Sequence, residues 1–161
     1  MEGDKAISVL SSKMRLRLAD EQDVMFISSL STSSDDSLLP GGMLSSYIDQ
    51  RRLHLIVEDD QPIGFLCESI VLDEAELLQI VIDNEFRKHG YAKQALDCWH
   101  DYLVIRKVVN VFLEVREGNI PAIRLYDKLG YKNIGVRKNY YILAGKKYHA
   151  VMMKKSLVQL P

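Results

Sequence analysis

The hydrophobic pattern of residues 53–115 restricts the fold more than any other feature of this sequence. It begins with three short apolar or alternating runs separated by polar turns, which predict two consecutive antiparallel β-hairpins. From Gly90 the apolar residues recur at helical spacing, which predicts an amphipathic helix to about Arg106. The β-branched run Val108–Val115 then predicts a buried strand. The three runs of the hairpins are Leu53–Glu58, Ile63–Leu72 and Glu76–Ile82.

The segments on either side of residues 53–115 predict further elements. A strand and two helices precede residue 53, and a helix and a hairpin follow residue 115. Asp20 and Asn119 are suitable N-caps, and Gly130 is a suitable left-handed helix stop. The Ser/Asp-rich stretch Ser31–Gly42 predicts a loop, long enough to be a lid or to lie beside a substrate. The flanking elements are a strand at Arg15–Leu18, a helix after Asp20, a short helix at Met43–Gln50, a helix after Asn119, and a hairpin of Tyr131–Leu143 with Lys147–Met153.

These elements fit one domain. The chain has 161 residues, of which 47% are hydrophobic, and this is enough for a single core. We predict a single α/β (α+β) domain over residues 14–157, with a central mixed, mostly antiparallel sheet of about seven strands flanked by about four helices. Residues 1–13 have no amphipathic period and are predicted to be a disordered lead-in.

The composition argues against several classes of protein. Cys67 and Cys98 have no CxxC partner, which argues against a disulfide framework or a zinc site and favours a reducing, cytoplasmic environment. The four histidines lack HxxxH or HExxH spacing, so no metal is predicted. No apolar run approaches the roughly 20 residues of a membrane helix. The 21 basic and 22 acidic residues give no overall field for nonspecific nucleic-acid binding.

The charges are nevertheless divided along the chain. Residues 20–60 include nine acidic and two basic residues, whereas residues 128–161 include eight basic residues and none that is acidic. The acidic part could attract a cationic substrate, and the basic part could meet an anionic surface.

The turn between the strand ending at Ile82 and the helix beginning at Gly90 has the features of an anion-binding site. The first N–H groups of a helix have no partner within the helix and point outward at the positive end of its dipole. Gly90 lets an anion approach the backbone, and Arg87 and Lys88 add positive charge. The segment has neither a Walker loop nor a GxGxxG fingerprint. It therefore predicts either a site for another phosphate-bearing ligand or an ordinary glycine turn.

Glu114 is an acidic residue in an otherwise apolar strand. Alternation puts its two neighbours on one face of the sheet and Glu114 on the other. Such a carboxylate could act as a general base, or it could pair with Arg116 or with a cross-strand Arg or Lys. Tyr126 follows Asn119 by seven residues, two helical turns, so both project from one face of a helix. Tyr126 could equally pack that helix on the sheet.

Several of these segments together resemble the GNAT acetyltransferase superfamily. Arg87-Lys88-His89-Gly90-Tyr91-Ala92 matches its [Q/R]-x-x-G-x-[G/A] motif at the strand–helix junction, with Ala92 in place of the second glycine. Other segments resemble the RimI-type branch, whose members acetylate the N-terminal alanine of a small-subunit ribosomal protein. The resemblance covers about Leu53–Lys154 and does not extend to residues 31–52. The segments that resemble the RimI-type branch are Val71–Leu77, Leu113–Arg116, Asn119, Ala122–Ile123, Leu125–Tyr126 and Arg137–Tyr141.

The resemblance implies a GNAT fold, acetyl-CoA as cofactor and a role for each matching residue. Glu114 falls at the position of the general base, and Tyr126 at that of the general acid. Tyr140 and Tyr141 are consecutive and so predicted to face opposite sides of a strand, one in the core and the other in the amine pocket. The residues implied to bind acetyl-CoA are Ile80, Val81, Ile82, Arg87, Lys88, His89, Gly90, Tyr91, Ala92, Lys93 and Asn119.

We therefore predict an N-acetyltransferase that joins the acetyl group to a primary amine by direct attack. The preferred acceptor is the N-terminal α-amino group of a protein, whose pKa of about 8 makes deprotonation easier than for a lysine at about 10.4. The unfamiliar segment Ser31–Arg52 leaves a small-molecule amine, such as a polyamine or an antibiotic, as an alternative. A catalytically silent acyl-CoA-binding module is the third hypothesis.

Overall fold

The strands and helices of the computed structural model follow the predicted order. The structure describes residues 14–32 and 41–161, which contain seven strands and four helices. The strands are β1 (Arg15–Leu18), β2 (Leu53–Glu58), β3 (Gln61–Val71), β4 (Glu74–Ile82), β5 (Asn110–Arg116), β6 (Lys132–Leu143) and β7 (Lys146–Ser156). The helices are α1 (Val24–Thr32), α2 (Leu44–Asp49), α3 (Tyr91–Ile105) and α4 (Ile120–Lys128).

All seven strands belong to one sheet, in the order β1-β2-β3-β4-β5-β7-β6. The predicted hairpins are present as β2–β3, β3–β4 and β6–β7. β7 lies between β5 and β6 and is antiparallel to both, so among these strands only β4 and β5 are parallel neighbours. The predicted mixed, mostly antiparallel sheet is confirmed.

β4 and β5 pair over a short distance and then separate. Their register covers four pairs, from Glu74 with Asn110 to Leu77 with Leu113. Beyond the last pair, β4 continues for five residues and β5 for three. The middle of the sheet therefore opens into a V-shaped gap.

A bulge in β4 lies where the two strands part. The register between β3 and β4 shifts between Cys67, which pairs with Gln79, and Glu68, which pairs with Leu77. Leu78 is therefore an extra residue in β4. A bulge bends its strand and increases the local twist, which helps to turn β4 away from β5.

Helices cover both faces of the sheet. On one face, Trp99 and Leu103 of α3 are fully buried, in a core that α4 also joins. On the other face, Ile27 of α1 and Leu44 of α2 pack in a second core with Phe65 of β3. Burying each such side chain contributes about 1.5–3 kcal/mol, so the two cores hold the four helices on the sheet.

Glu68 connects β3 to α3 through a buried polar network. Its side chain is 3% exposed, and one carboxylate oxygen lies 2.9 Å from Nε2 of His54. The indole N–H of Trp99 donates to the other oxygen. Because a buried carboxylate is stable only with such partners, the network fixes the position of α3 on the sheet.

Some predicted bounds differ from the observed ones. α1 extends through Thr32, so the first two residues of the predicted loop 31–42 are helical. Residues 33–40 of that loop and the predicted lead-in 1–13 lie outside the described residues. β7 continues to Ser156 because its last residues pair with the start of β5. No helix in the described part of the chain has the length and apolar character needed to cross a membrane.

Candidate active site

The gap between β4 and β5 opens into a cavity of about 460 Å³. It brings together residues from β4, the turn after it, β5, the start of α3, α4 and β6. The predicted site residues that line it are Ile80, Val81, Ile82, Arg87, Ala92, Glu114, Asn119, Tyr126 and Tyr141. The predicted site residues that are not part of its lining are Lys88, His89, Gly90, Tyr91, Lys93 and Tyr140.

The turn after β4 is held against the strand by the side chain of Arg87. Nε of Arg87 donates to the carbonyl of Ile82 at 2.9 Å, which ties the end of the turn back to β4. Lys88 and Gly90 both have left-handed backbones, with φ of 63° and 80°. Glycine adopts this conformation without strain, and here it leads the chain into α3.

The start of α3 is open to an anion. Gly90 is its N-cap, and no side chain caps the helix. A Cβ atom placed on Gly90 would meet nothing within 4 Å, so the space beside its α-carbon is open. The exposed side chains of Lys88 and His89 flank this space, whereas Lys93 pairs with Asp97 at 2.9 Å. Outward N–H groups and nearby positive charge fit a pyrophosphate.

Glu114 faces the cavity and is paired with an arginine from a strand that is not its neighbour. A guanidinium nitrogen of Arg137, in β6, lies 2.9 Å from Oε1 of Glu114. The other oxygen, Oε2, is buried and has no hydrogen-bond partner within residues 14–32 and 41–161. The ion pair foreseen as one alternative is thus present. The second carboxylate oxygen therefore lacks, among the residues described, the partner that buried polar atoms almost always have.

Tyr126 packs in the core and also lines the cavity. Its side chain is 7% exposed and contacts the ring of Tyr131 edge-on, with centroids 5.7 Å apart. Burial, with a smaller contribution from Tyr141, raises the pKa of Tyr126 well above its usual value. The Tyr126 hydroxyl therefore keeps its proton at neutral pH. The Tyr141 hydroxyl donates to the main-chain carbonyl of Glu114 at 3.5 Å.

The prediction that Tyr140 and Tyr141 face opposite sides of a strand is wrong. The pairing of β6 with β7 is interrupted between Arg137 and Tyr141, and Asn139 there has a left-handed φ of 54°. In this irregular stretch the two rings are in edge contact, with centroids 5.1 Å apart. Tyr141 is buried at the cavity, whereas Tyr140 is exposed and lies against the guanidinium of Arg137.

The sequence pattern does not single out Gln79, which also lines the cavity. Its side chain is buried, and neither Nε2 nor Oε1 has a hydrogen-bond partner in the described part of the chain. The signal that could have found it is a lone amide side chain within the apolar run Leu77–Ile82, just before the turn that leads into α3.

The two cysteines are not arranged as nucleophiles. Cys67 is buried, and burial raises the pKa of its thiol to about 12. Burial also raises the pKa of Cys98, which lies outside this cavity. Both are therefore thiols at neutral pH, whereas the nucleophilic form is the thiolate. Within the described ranges, no group of three or more His, Cys, Asp or Glu residues could hold a metal ion.

A larger cavity, of about 730 Å³, lies between α3 and strands β1–β3. Arginines are prominent in its wall, and two of them have polar partners. Arg15 pairs with Asp60 at 2.9 Å, and Arg52 donates to the carbonyl of Glu68 at 3.0 Å. None of the residues predicted to bind acetyl-CoA or to transfer protons lines this cavity.

Known proteins match both the sequence and the fold. The family model described as the acetyltransferase (GNAT) family matches residues 16–131. The [ribosomal protein bS18]-alanine N-acetyltransferase of Salmonella typhimurium is 38% identical over 105 residues, which are 65% of this chain and 71% of that protein. The enzyme of the same name from Haemophilus influenzae is 38% identical over 114 residues, or 70% of this chain and 77% of its own.

Two solved structures show the same fold. The ribosomal-protein-S18-alanine N-acetyltransferase of Escherichia coli has a TM-score of 0.82 at 23% identity, covering 92% of this chain and 96% of its own. Arabidopsis thaliana Naa50, in complex with the bisubstrate analogue CoA-Ac-MVNAL, has a TM-score of 0.77 at 17% identity, covering 89% and 99%. With the family match and the sequence relatives, these findings place the chain in the acetyltransferase (GNAT) family, as an acetyl-CoA-dependent N-acetyltransferase.

Proposed function

We propose that the acceptor is the N-terminal α-amino group of a protein, with Glu114 as general base and Tyr126 as general acid. The observation that carries the proposal is the buried Oε2 of Glu114, which lines the cavity without a hydrogen-bond partner among the described residues. The choice of acceptor is supported by relatives that are named [ribosomal protein bS18]-alanine N-acetyltransferase.

The turn and the exposed edge of β4 are proposed to hold acetyl-CoA. The N–H groups at the start of α3, with Arg87 and Lys88, would bind the pyrophosphate. Beyond Leu77 the edge of β4 that faces the gap is not paired with β5. Main-chain groups of Ile80–Ile82 that point into the gap, apart from the Ile82 carbonyl that accepts from Arg87, would bind amides in the cofactor's arm, because unpaired strand edges offer donors and acceptors in a row. Asn119 lines the same cavity from the start of α4.

Proton transfer is assigned to a base, the carboxylate of Glu114, and to an acid, the hydroxyl of Tyr126. An ammonium group has no lone pair with which to attack, so the amine must first lose a proton. Oε2 of Glu114 takes this proton, directly or through a water. As the bond from nitrogen to the acetyl carbon forms and the carbon–sulfur bond breaks, the departing sulfur takes a proton from the Tyr126 hydroxyl. The second proton, which the nitrogen loses as it becomes an amide, passes through water and restores that hydroxyl. No covalent bond to the protein is needed.

Positioning contributes more than either proton transfer. Holding an amine and a thioester in line removes entropy that a bimolecular reaction must lose, an effect of up to about 7–11 kcal/mol in well-oriented cases. Proton transfer by a positioned side chain contributes about 10²–10⁴-fold. We therefore expect variants of Glu114 and Tyr126 to be slow but still to bind acetyl-CoA.

The test is an assay of CoA release with acetyl-CoA and peptides that carry free Ala, Ser or Met termini, followed by mass spectrometry of the products. Glu114→Gln and Tyr126→Phe should each lower kcat by about 10²-fold or more. Acetyl-CoA affinity, measured by calorimetry, should be unchanged within about twofold. Absence of peptide acetylation would overturn the proposal, and so would polyamines or antibiotics that outcompete every peptide. Full turnover in both variants would remove their assigned roles.

A further inference from the structure

Gln79 is a buried amide side chain without protein partners in the described part of the chain. It is 8% exposed, and both of its polar atoms are buried and unpaired. Leaving one buried donor or acceptor unmet is costly, and Gln79 has both. It also lines the cavity where substrate is proposed to react. These facts indicate that its partner is a group of the substrate that offers both an acceptor and a donor.

The position of Gln79 places that group on the acceptor side. Gln79 is paired with Cys67, which packs in the core beneath α1 and α2. Glu114 lies on the face opposite Leu113 and Val115, which pack beneath α3 and α4. Gln79 and Glu114 therefore share the α1/α2 face on the two sides of the gap, whereas the anion-binding turn leads into α3.

We propose that Gln79 binds the first peptide bond of the acceptor, the one that follows the reacting α-amine. Nε2 donates to the carbonyl of that peptide bond, and Oε1 accepts from its N–H. An amide side chain matches a peptide group because each has one carbonyl and at least one N–H. The inference rests on the proposed protein acceptor and assigns to Gln79 a positioning role, not a catalytic one.

The same geometry would disfavour a polyamine. A polyamine offers N–H donors and, when protonated, no acceptor, so Nε2 of Gln79 would stay buried and unpaired. An unmet buried donor lowers affinity by about ten- to hundredfold. Gln79 is thus the side chain that would favour a peptide over a small amine.

The experiment compares an Ala-terminated peptide with its depsipeptide, in which an ester oxygen replaces the first peptide N–H. Both are assayed with the wild type, with Gln79→Met, which keeps the size and removes both polar atoms, and with Gln61→Met. Gln61 is exposed at the start of β3 and does not line the cavity, so Gln61→Met is the matched control. The ratio of the two kcat/KM values on one preparation does not depend on how much of the protein is folded.

We expect the ester to cost about tenfold in kcat/KM with the wild type and with Gln61→Met, mainly through KM. With Gln79→Met the ester and the peptide should be used equally, and the peptide should lose about ten- to hundredfold. An ester penalty that persists in Gln79→Met, or is missing in the wild type, overturns the inference and leaves the proposed function intact. A wild type that acetylates no peptide overturns both.

Discussion

Glu114 of β5 and Arg137 of β6 form a 2.9 Å ion pair across β7, the strand that separates them. Ala150 of β7 lies opposite Arg137 on one side and Arg116 on the other. The side chain of Ala150 is small, which leaves room for the guanidinium of Arg137 to pass over β7. Tyr140 lies against this guanidinium, 4.8 Å from its ring centroid, and so helps to fix its direction.

Replacing Arg137 with Met should affect activity much more than stability. The Arg137 side chain is 51% exposed, and a pair of this kind contributes less than about 1 kcal/mol to the free energy of unfolding. Without it the carboxylate of Glu114 loses the contact that orients it, and we expect kcat/KM to fall about tenfold or more. Steady-state kinetics and urea unfolding measure the two effects.

Arg15→Met is the matched control for Arg137→Met. Arg15 also forms a half-exposed ion pair, with Asp60 at 2.9 Å, but it lies at the other edge of the sheet. It should lose a similar small amount of stability and keep full activity. Equal activity of the two variants would contradict a role for Arg137 in orienting Glu114.

Gly90→Ala should weaken acetyl-CoA binding through backbone strain. A side chain at a φ of 80° costs about 1 kcal/mol, even though a Cβ atom would find open space. Relief of that strain by movement of the helix start would reduce affinity about fivefold. Gly145→Ala carries the same strain, at a φ of 77° with open space, in the β6–β7 turn. It should lower the unfolding free energy equally and leave acetyl-CoA affinity, measured by calorimetry, unchanged.

Gly64→Ala, in the neighbouring strand β3, should displace the main chain of β4. A Cβ atom on Gly64 would lie 2.3 Å from the carbonyl oxygen of Val81, which is main chain and cannot turn aside. We expect a loss of about 1–3 kcal/mol in unfolding free energy and a higher KM for acetyl-CoA, because Val81 lines the cavity. At Gly135 the nearest atom is the sulfur of Met152 at 3.8 Å, so Gly135→Ala should change neither quantity much. Equal behaviour of the two variants would exclude this steric explanation.

His100 should make the protein sensitive to mild acid. It is buried with Nε2 2.7 Å from the hydroxyl of Tyr131, and burial lowers the pKa of His100 to about 4. Because the folded pKa lies below the unfolded value of 6.5, the unfolded chain binds the proton more tightly. The contribution to stability is complete above about pH 6.5 and is lost as the pH falls towards 4, with an upper limit of roughly 3 kcal/mol.

The comparison that isolates this effect is urea unfolding of the wild type and of His100→Gln between pH 7.5 and about 4.5. Glutamine keeps a polar group near Tyr131 but does not titrate in this range. The wild type should lose more unfolding free energy on acidification than the variant. Parallel pH profiles would show that His100 does not control the acid response.

Local patterns were sufficient for the elements and for the position of the turn between β4 and α3. Alternation and turn residues predict a strand at Leu53–Glu58, and β2 has these bounds. Gly90 and the end of β4 are close in sequence, so their junction depends on few other parts of the chain. Asn119 likewise caps α4 as expected, its side chain accepting from the N–H of Ala122.

Contacts between distant strands could not be predicted in the same way. The Arg137–Glu114 pair exists because β7 lies between β5 and β6, and no local pattern specifies this strand order. Gln79 reaches the cavity through the bulge at Leu78, which depends on how β3 and β4 pair. The contact of Tyr140 with Tyr141 depends on an interruption in the β6–β7 ladder. In each case the pairing and register of the strands determine which side chains meet, and these are properties of the whole sheet.

The short parallel ladder between β4 and β5 also has a mechanical consequence. Four residue pairs join the half of the sheet formed by β1–β4 to the half formed by β5–β7. Parallel pairing is slightly less stable per residue than antiparallel pairing, so this seam is the weakest line in the sheet. In the proposed function acetyl-CoA lies between the parted strands, where it would contact both halves and hold them together. Amide hydrogens along the seam should therefore exchange more slowly when acetyl-CoA is bound, even where it does not touch them.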